Sequence, residues 1–250
     1  MGILNCTPDS FYEGSRKQTE YEIAARADEI IGEGGAIIDV GAYSTRPGAT
    51  AVSMEEEMAR LRGALTVIRR GHRDARISVD TFRPEVARMA VEEFGASIIN
   101  DVSEGSQMMY EEVAQLKVGY VLMSVEPDMR SMIERFRREV TLLQNLGVGE
   151  IILDPGFGFG KEVIEGNYQV LREMGSLKTE FPDMPLLVGV SRKRMIHQLL
   201  NCKPQDAEAL QGTMLVNLIA LQQGAEILRV HDVKEAVNTI KVYRCFSHSA

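Results

Sequence analysis

EIILDPGFGFGK, residues Glu150 to Lys161, runs three consecutive aliphatics, Ile151, Ile152 and Leu153, into an aspartate and then into a glycine-rich turn. An apolar run this short, closed by Asp and Pro, is how a strand reads when both of its faces are buried in a parallel sheet. The same form recurs at Ala36 to Val40, where Ile37 and Ile38 lead into Asp39. Working outward in both directions gives further short runs at Gly2 to Asn5, Arg76 to Asp80, Ala96 to Asp101, Gly119 to Met123, Leu186 to Val190 and Glu226 to His231. Amphipathic helical stretches separate them. Strand and helix alternating from end to end predict parallel βαβ units, and eight such pairs predict a single α/β domain over residues 1–250, a closed (β/α)8 TIM barrel.

Local signals mark the helix ends. Thr19 with Glu22 and Ser53 with Glu56 have the Ser/Thr and Glu spacing of a capping box. Pro84 suits a first helical turn. Gly34-Gly35 and Gly95 stand where a helix closes in a left-handed cap. Asn201 to Gly224 is long enough for extra helix before the last strand, and the chain starts almost inside its first strand, without the short leader expected before it.

Composition narrows the class. The chain has 250 residues, 44% apolar and 26% charged, and no Trp, which is ordinary for a globular enzyme or binding domain. A formal charge of −8 argues against general binding of nucleic acid or anionic membrane, though not against a local group of cations inside a cleft. Cys6, Cys202 and Cys245 form no CxxC pair, and no segment has the order of a signal peptide, so a reducing, cytoplasmic setting is expected. No HExxH, HxxxH or Cys cluster proposes zinc.

In a barrel of this kind the chemistry sits at the carboxyl ends of the strands. Those ends carry Asn5, Asp39, Asp80, Asn100 with Asp101, Ser124, Asp154, Ser191 with Lys193, and Arg229 with His231. Taken singly, an Asn or Asp at such a place most often caps the next loop, and Asp101 and Asp232 keep that reading. Polar groups at most of the ends imply mutual pairing or a ligand, because each costs a few kcal/mol if buried alone, about 1–3 by mutational data. Asp80, Asn100 and Asp154, from separate strands, can line one side of a flat, donor-bearing heterocycle. Arg229 and His231 are spaced to share one side of a strand and suit an anion, the bland alternative being a salt bridge to Asp232 or Glu235. In the loop after strand six, Phe157 and Phe159 are either core aromatics or apolar faces of the site.

Seven segments in order, MGILNCTPDSF (1–11), STRPGA (44–49), SVDT (78–81), INDV (99–102), DPGFGFGK (154–161), VGVSRK (188–193) and RVHDV (229–233), resemble the dihydropteroate synthase family. The resemblance implies a pterin-binding barrel that condenses 6-hydroxymethyl-7,8-dihydropterin diphosphate with 4-aminobenzoate, releasing pyrophosphate. It assigns the pterin edge to Asp80, Asn100, Asp154 and Lys193, and the diphosphate to Asn5, Thr45, Arg46, Arg229 and His231, with Mg2+ held by Asn5 and phosphate oxygens. It assigns 4-aminobenzoate to Phe11, Pro47, Phe159, Lys193 and Arg194. Asp80, Lys193, Arg229 and His231 would act on the reaction itself. A homodimer and competition by sulfonamides follow from the same resemblance. Three departures stand out: Gly41-Ala42-Tyr43-Ser44 where Gly-Gly-Glu-Ser is usual, Glu13 where Asp is commoner, and Ser124-Val125 where His-Met often follows strand five. The rival readings are a methyltransferase of the same barrel group and a catalytically silent pterin-binding module. STRPGA, SRK and the TPDSF loop favour the synthase over the first, and intact Asn5, Arg46 and Arg229 disfavour the second.

Overall fold

The computed structural model describes residues 1–6, 16–43 and 52–247. Along them strands and helices alternate as β1 (Gly2–Asn5), α1 (Arg16–Gly32), β2 (Ile38–Gly41), α2 (Met54–Gly71), β3 (Ile77–Asp80), α3 (Pro84–Phe94), β4 (Ile98–Asp101), α4 (Gln107–Leu116), β5 (Gly119–Met123), α5 (Met129–Asn145) and β6 (Ile151–Asp154). They continue as α6 (Glu165–Glu173), α7 (Gly175–Glu180), β7 (Leu187–Val188), α8 (Arg194–His197), α9 (Ala207–Gln222), β8 (Ile227–Leu228) and α10 (Val233–Ser247).

Strands β1 to β6 pair in sequence order and β7 pairs β8, all in parallel. Two parallel bridges, Leu153 to Leu186 and Gly2 to Val230, join the two ladders at both edges and close the ring. The last two strands are shorter than their apolar runs because the chain changes partner there. Arg229 N still donates to Val188 O at 2.9 Å, but Val230 N donates to Met1 O at 3.0 Å, and Ile3 N donates to Val230 O at 2.9 Å.

Alternate residues of each strand face opposite ways, and the barrel sorts its apolar residues accordingly. Ile38, Val40, Ile77, Val79, Ile99, Leu122, Leu153 and Val188 pack outward into the main core beneath the helices. Ile37, Ile98, Val121, Ile152 and Leu187 form a separate inner cluster, against which Met1 and Ile227 also pack. That inner cluster fills the barrel axis and is inert.

Most of the local signals act as expected. Ser53 Oγ accepts from Glu56 N at 3.2 Å, Pro84 opens α3, and Gly95 closes it in the left-handed conformation at φ 65°. Thr19 does not cap a helix: α1 already begins at Arg16, so Thr19 is a buried residue within its first turns. The extra helix expected in 201–224 is α9. Among the described residues no helix is long and apolar enough to cross a membrane.

Candidate active site at the barrel mouth

Two residues beyond the inner apolar cluster, the even-numbered strands turn polar. Ile37 is followed by Asp39, Ile98 by Asn100, Ile152 by Asp154 and Ile227 by Arg229, so the next inward layer consists of four polar side chains from alternate strands. Barrels of this type fill in layers of four from alternate strands, usually with branched aliphatics. Here the uppermost layer is polar.

Asp39 is fully buried and accepts from Ser78 Oγ at 2.6 Å, from Asn100 Nδ2 at 3.3 and 3.4 Å, and from Arg229 Nε at 2.6 Å. The Arg229 fork is shared, since its Nη2 donates to Asp80 Oδ2 at 2.8 Å. Asn100 is buried as well, and its Oδ1 has no hydrogen-bond partner. A buried orphan acceptor costs about 1–3 kcal/mol, which a ligand N–H would relieve.

The glycine loop after β6 closes over this layer. Gly156 and Gly160 both have positive φ, 66° and 64°, and a Cβ on them would fall 2.1 Å from Ser124 O and 1.8 Å from Val125 O, so no other residue fits against the β5 loop. Lys161 Nζ ties the loop down by donating to Ser124 O, Gly156 O and Phe159 O at 3.3, 3.2 and 3.1 Å. The two phenylalanines divide the roles offered to them. Phe157 is fully buried core, whereas Phe159 is half-buried and lies under the Lys193 ammonium, 4.9 Å from its ring centroid. Lys193 Nζ also donates to Phe157 O. Asp154 Oδ1 accepts from Gly156 N at 2.8 Å.

Burial dominates the titration of the site. It pushes the Asp80 carboxyl up to about 7, against the attraction of Arg229 and with the help of the Asp39 charge. Burial likewise raises Asp154, with Lys193 opposing. Burial lowers the Lys193 ammonium to about 8, with Asp154 opposing, and lowers Lys161 to about 8 in the same way. For Arg229 burial works against the charge, but Asp39 and Asp80 outweigh it and hold the guanidinium protonated.

Asp80, Asn100, Asp154, Lys193 and Arg229 are therefore brought together. Asn5 is exposed at the end of β1, in register with Gly41, and beside it a Cβ on Gly41 would stand 3.6 Å from Asn5 Oδ1 and 3.7 Å from Asp80 Oδ2. The His231 ring reaches Ser191 Oγ from Nδ1 at 3.1 Å. Arg194 is exposed at the start of the four-residue α8. Phe11, Glu13, Thr45, Arg46 and Pro47 lie outside the described residues.

The local salt-bridge alternative for Arg229 does not hold: Asp232 pairs with Arg192, at 2.7 and 2.8 Å, and Arg229 pairs across the barrel. Asp101 has the structural role expected of it, accepting from Ser103 N at 2.8 Å and Tyr120 Oη at 2.9 Å. Ser124, in place of the usual His, is buried and accepts from Glu126 N at 3.2 Å, shaping its turn. Sequence reasoning named Asp39 without giving it a function and passed over Lys161 as part of a motif. Counting two residues up from each inner isoleucine would have placed Asp39 inside.

A model of the family described as pterin binding enzyme matches residues 1–231. The dihydropteroate synthase of Escherichia coli strain K12 is 39% identical over 258 aligned residues, covering 97% of this chain and 89% of its own. A solved dihydropteroate synthase of Anaplasma phagocytophilum, with bound 6-hydroxymethylpterin-monophosphate, is 31% identical and superposes with a TM-score of 0.88 over 98% of this chain and 97% of its own. One of Xanthomonas albilineans, with 4-aminobenzoic acid, is 37% identical with a TM-score of 0.86, over 99% and 92%.

Proposed function

The chain belongs to the pterin binding enzymes and among them to the dihydropteroate synthases, and from that premise we propose how its barrel mouth carries out the condensation of a dihydropterin diphosphate with 4-aminobenzoate. The observation that carries the reading is the orphaned Asn100 Oδ1, buried in a polar layer shared with Asp154 and facing no protein donor. A pterin edge supplies the missing donor. Asp154 accepts from the ring N–H and amino group, and Lys193 donates to the carbonyl edge, a code that leaves polar groups unpaired when the wrong heterocycle enters.

The reaction is displacement at the pterin methylene carbon: the carbon–oxygen bond to diphosphate breaks, the aryl amine forms the new carbon–nitrogen bond, and its proton passes to solvent or pyrophosphate. No protein nucleophile is required, and the buried Cys6 thiol, pushed up to about 12 by burial, is a poor one. Arg229 and His231, with Thr45 and Arg46 from the second loop, bind the diphosphate and stabilise charge on the leaving pyrophosphate. Ionised Asp80 stabilises positive charge developing on the pterin. Phe11, Pro47, Phe159, Lys193 and Arg194 enclose 4-aminobenzoate.

Asn5 fits a hard cation that takes one protein oxygen and fills its shell with phosphate oxygens and water, since its amide oxygen opens at the mouth across Gly41 from the Asp80 carboxylate. Mg2+ there would neutralise charge on the diphosphate, and Asn5 would hold it. A second copy of the chain is the proposed partner, supported by Leu199, Leu200, Leu215 and Ile219, which expose apolar side chains on and around α8 and α9; a solution mass of one 27.8 kDa chain would remove it. Thiols at Cys6 and Cys202 accord with the cytoplasmic setting.

The test is a mass-spectrometric assay of purified protein with pterin diphosphate, 4-aminobenzoate and Mg2+. Dihydropteroate and pyrophosphate in equal amounts are expected, with sulfonamides competing against 4-aminobenzoate. Transfer of a methyl group from a methylated folate without that product would transfer the assignment to the methyltransferase reading.

A further inference from the structure

We propose that Asp39 is a positioning residue of this reaction, its buried carboxylate setting the guanidinium of Arg229 and the amide of Asn100 in the orientations that meet the diphosphate and the pterin edge. The inference rests on the barrel mouth being the pterin diphosphate site.

Asp39 is 0% exposed and its two oxygens are covered by Ser78, Asn100 and Arg229, so it does not reach a ligand itself. Its influence runs through what it holds. An ionised carboxylate only accepts hydrogen bonds, and this dictates the orientation of Asn100: the NH2 group must turn to Asp39, and the carbonyl oxygen is thereby turned away from it. That oxygen is the buried atom without a partner. One charge thus makes Asn100 an acceptor toward the mouth, where a flipped amide would present a donor.

The same carboxylate divides the Arg229 fork. Nε is taken by Asp39 at 2.6 Å and Nη2 by Asp80 at 2.8 Å, while Nη1 remains for an anion. A guanidinium pinned on two sides keeps its plane fixed, so its free edge is preorganised and loses little rotamer freedom when phosphate arrives. Ser78, one strand over and itself fully buried, supplies a further bond that keeps the carboxylate from turning.

Asp39→Asn keeps the shape but removes the charge and replaces one of the two acceptor oxygens with an amide donor. Arg229 and Asn100 are then left to share one neutral oxygen, and their orientation should be held less firmly. Four proteins decide the matter: wild type, Asp39→Asn, Arg229→Ala and the double variant, each checked by thermal melting. We expect Asp39→Asn to lower kcat/KM for pterin diphosphate by roughly 30-fold or more, with the KM for 4-aminobenzoate moving less than about threefold. In the Arg229→Ala background the further loss should be under about fivefold, the residue that remains being the Asn100 share. Fully additive losses, or an unchanged kcat/KM, would overturn the proposal. If Asp39→Asn fails to fold, Ser78→Ala loosens the carboxylate while keeping its charge. Calorimetry with inorganic pyrophosphate and Mg2+ should then show affinity down by about three- to tenfold in the presence of Arg229 and unchanged in its absence; equal affinity in wild type and Ser78→Ala sinks the idea. A wild-type protein that makes no dihydropteroate, or an Arg229→Ala variant with normal turnover, would instead refute the reading of the site on which the inference rests.

Discussion

Burial brings Asp80 and Lys193, from opposite directions, to titrate close to neutrality, at about 7 and about 8. In its proposed role Asp80 has to be an anion to favour positive charge on the pterin carbon, and that form is lost as pH falls through about 7. Lys193 has to be a cation to donate, and that form is lost as pH rises through about 8. The expected kcat/KM profile for pterin diphosphate is therefore a narrow bell whose acid limb disappears, at a lower rate, in Asp80→Asn. A flat profile from about pH 6 to about pH 9 would contradict these roles. Stability has the opposite sign. The Asp80 carboxyl is harder to ionise folded than unfolded, so the folded state binds the extra proton, and stability falls as pH rises from the ordinary carboxylate range to about 7. Asp80→Asn should thus melt higher than wild type at pH 8, by about 1–3 kcal/mol of unfolding free energy, while turning over more slowly. Asp39, Asp80, Asn100 and Asp154 were legible in the sequence because each stands at the end of a short apolar run. Their pairings were not. Local reasoning offered Asp232 and Glu235 to Arg229, whereas its partners Asp39 and Asp80 are 190 and 149 positions away and adjacent only once the ring closes.

The glycine loop between β6 and α6 shows what an element contributes beyond its side chains. Gly160 combines a left-handed backbone with an approach to Val125 O that leaves no room for a methyl group. Gly160→Ala is expected to cost about 2–4 kcal/mol, read from the urea midpoint, and to weaken pterin binding because Lys161 and Phe159 move with the loop. Gly71→Ala is the paired control: it ends α2, its Cβ would meet nothing within 4 Å, and stability should hold or rise by about 0.5 kcal/mol. Equal losses in the two variants would mean that the close approach to the β5 loop is not what glycine serves. Elements were read from sequence most securely where two signals coincide, as at Ser53 with its Glu56 amide and at Pro84 before an amphipathic run. Thr19 misled because Ser/Thr three residues before Glu also arises inside a helix, and only the position of Arg16 in the first turn reveals which case applies. The apolar run at Glu226 to His231 overstated β8 for a related reason: hydrophobicity records burial, and the chain stays buried while exchanging β7 for β1.

That exchange makes the seam between the last and first strands the place where closure of the whole barrel depends on few bonds. One bridge, Gly2 to Val230, carries the pairing, and Arg26 of α1 reinforces it by donating from Nε to Ile3 O at 3.2 Å and from Nη2 to His231 O. A single side chain thereby links β1, the end of β8 and the backbone of His231, which is proposed to bind the diphosphate. Each charge-assisted bond to a carbonyl is worth about 1.5–3 kcal/mol, less where water can replace it. Arg26 is only a quarter exposed, so water replaces it poorly. We expect Arg26→Ala to destabilise the chain by about 2–3 kcal/mol and to act unevenly across the barrel. Amide exchange at Ile3 and Val230 should accelerate well beyond that at Val121 and Leu122, which lie between β4 and β6 in the continuous ladder. Turnover should fall several-fold with little change in the KM for 4-aminobenzoate, because the displaced carbonyl is that of His231, which is proposed to bind the diphosphate. If exchange at the seam and at β5 rose by the same factor, closure would be a property of the whole ring, and Arg26 would be stabilising the barrel without governing where it opens.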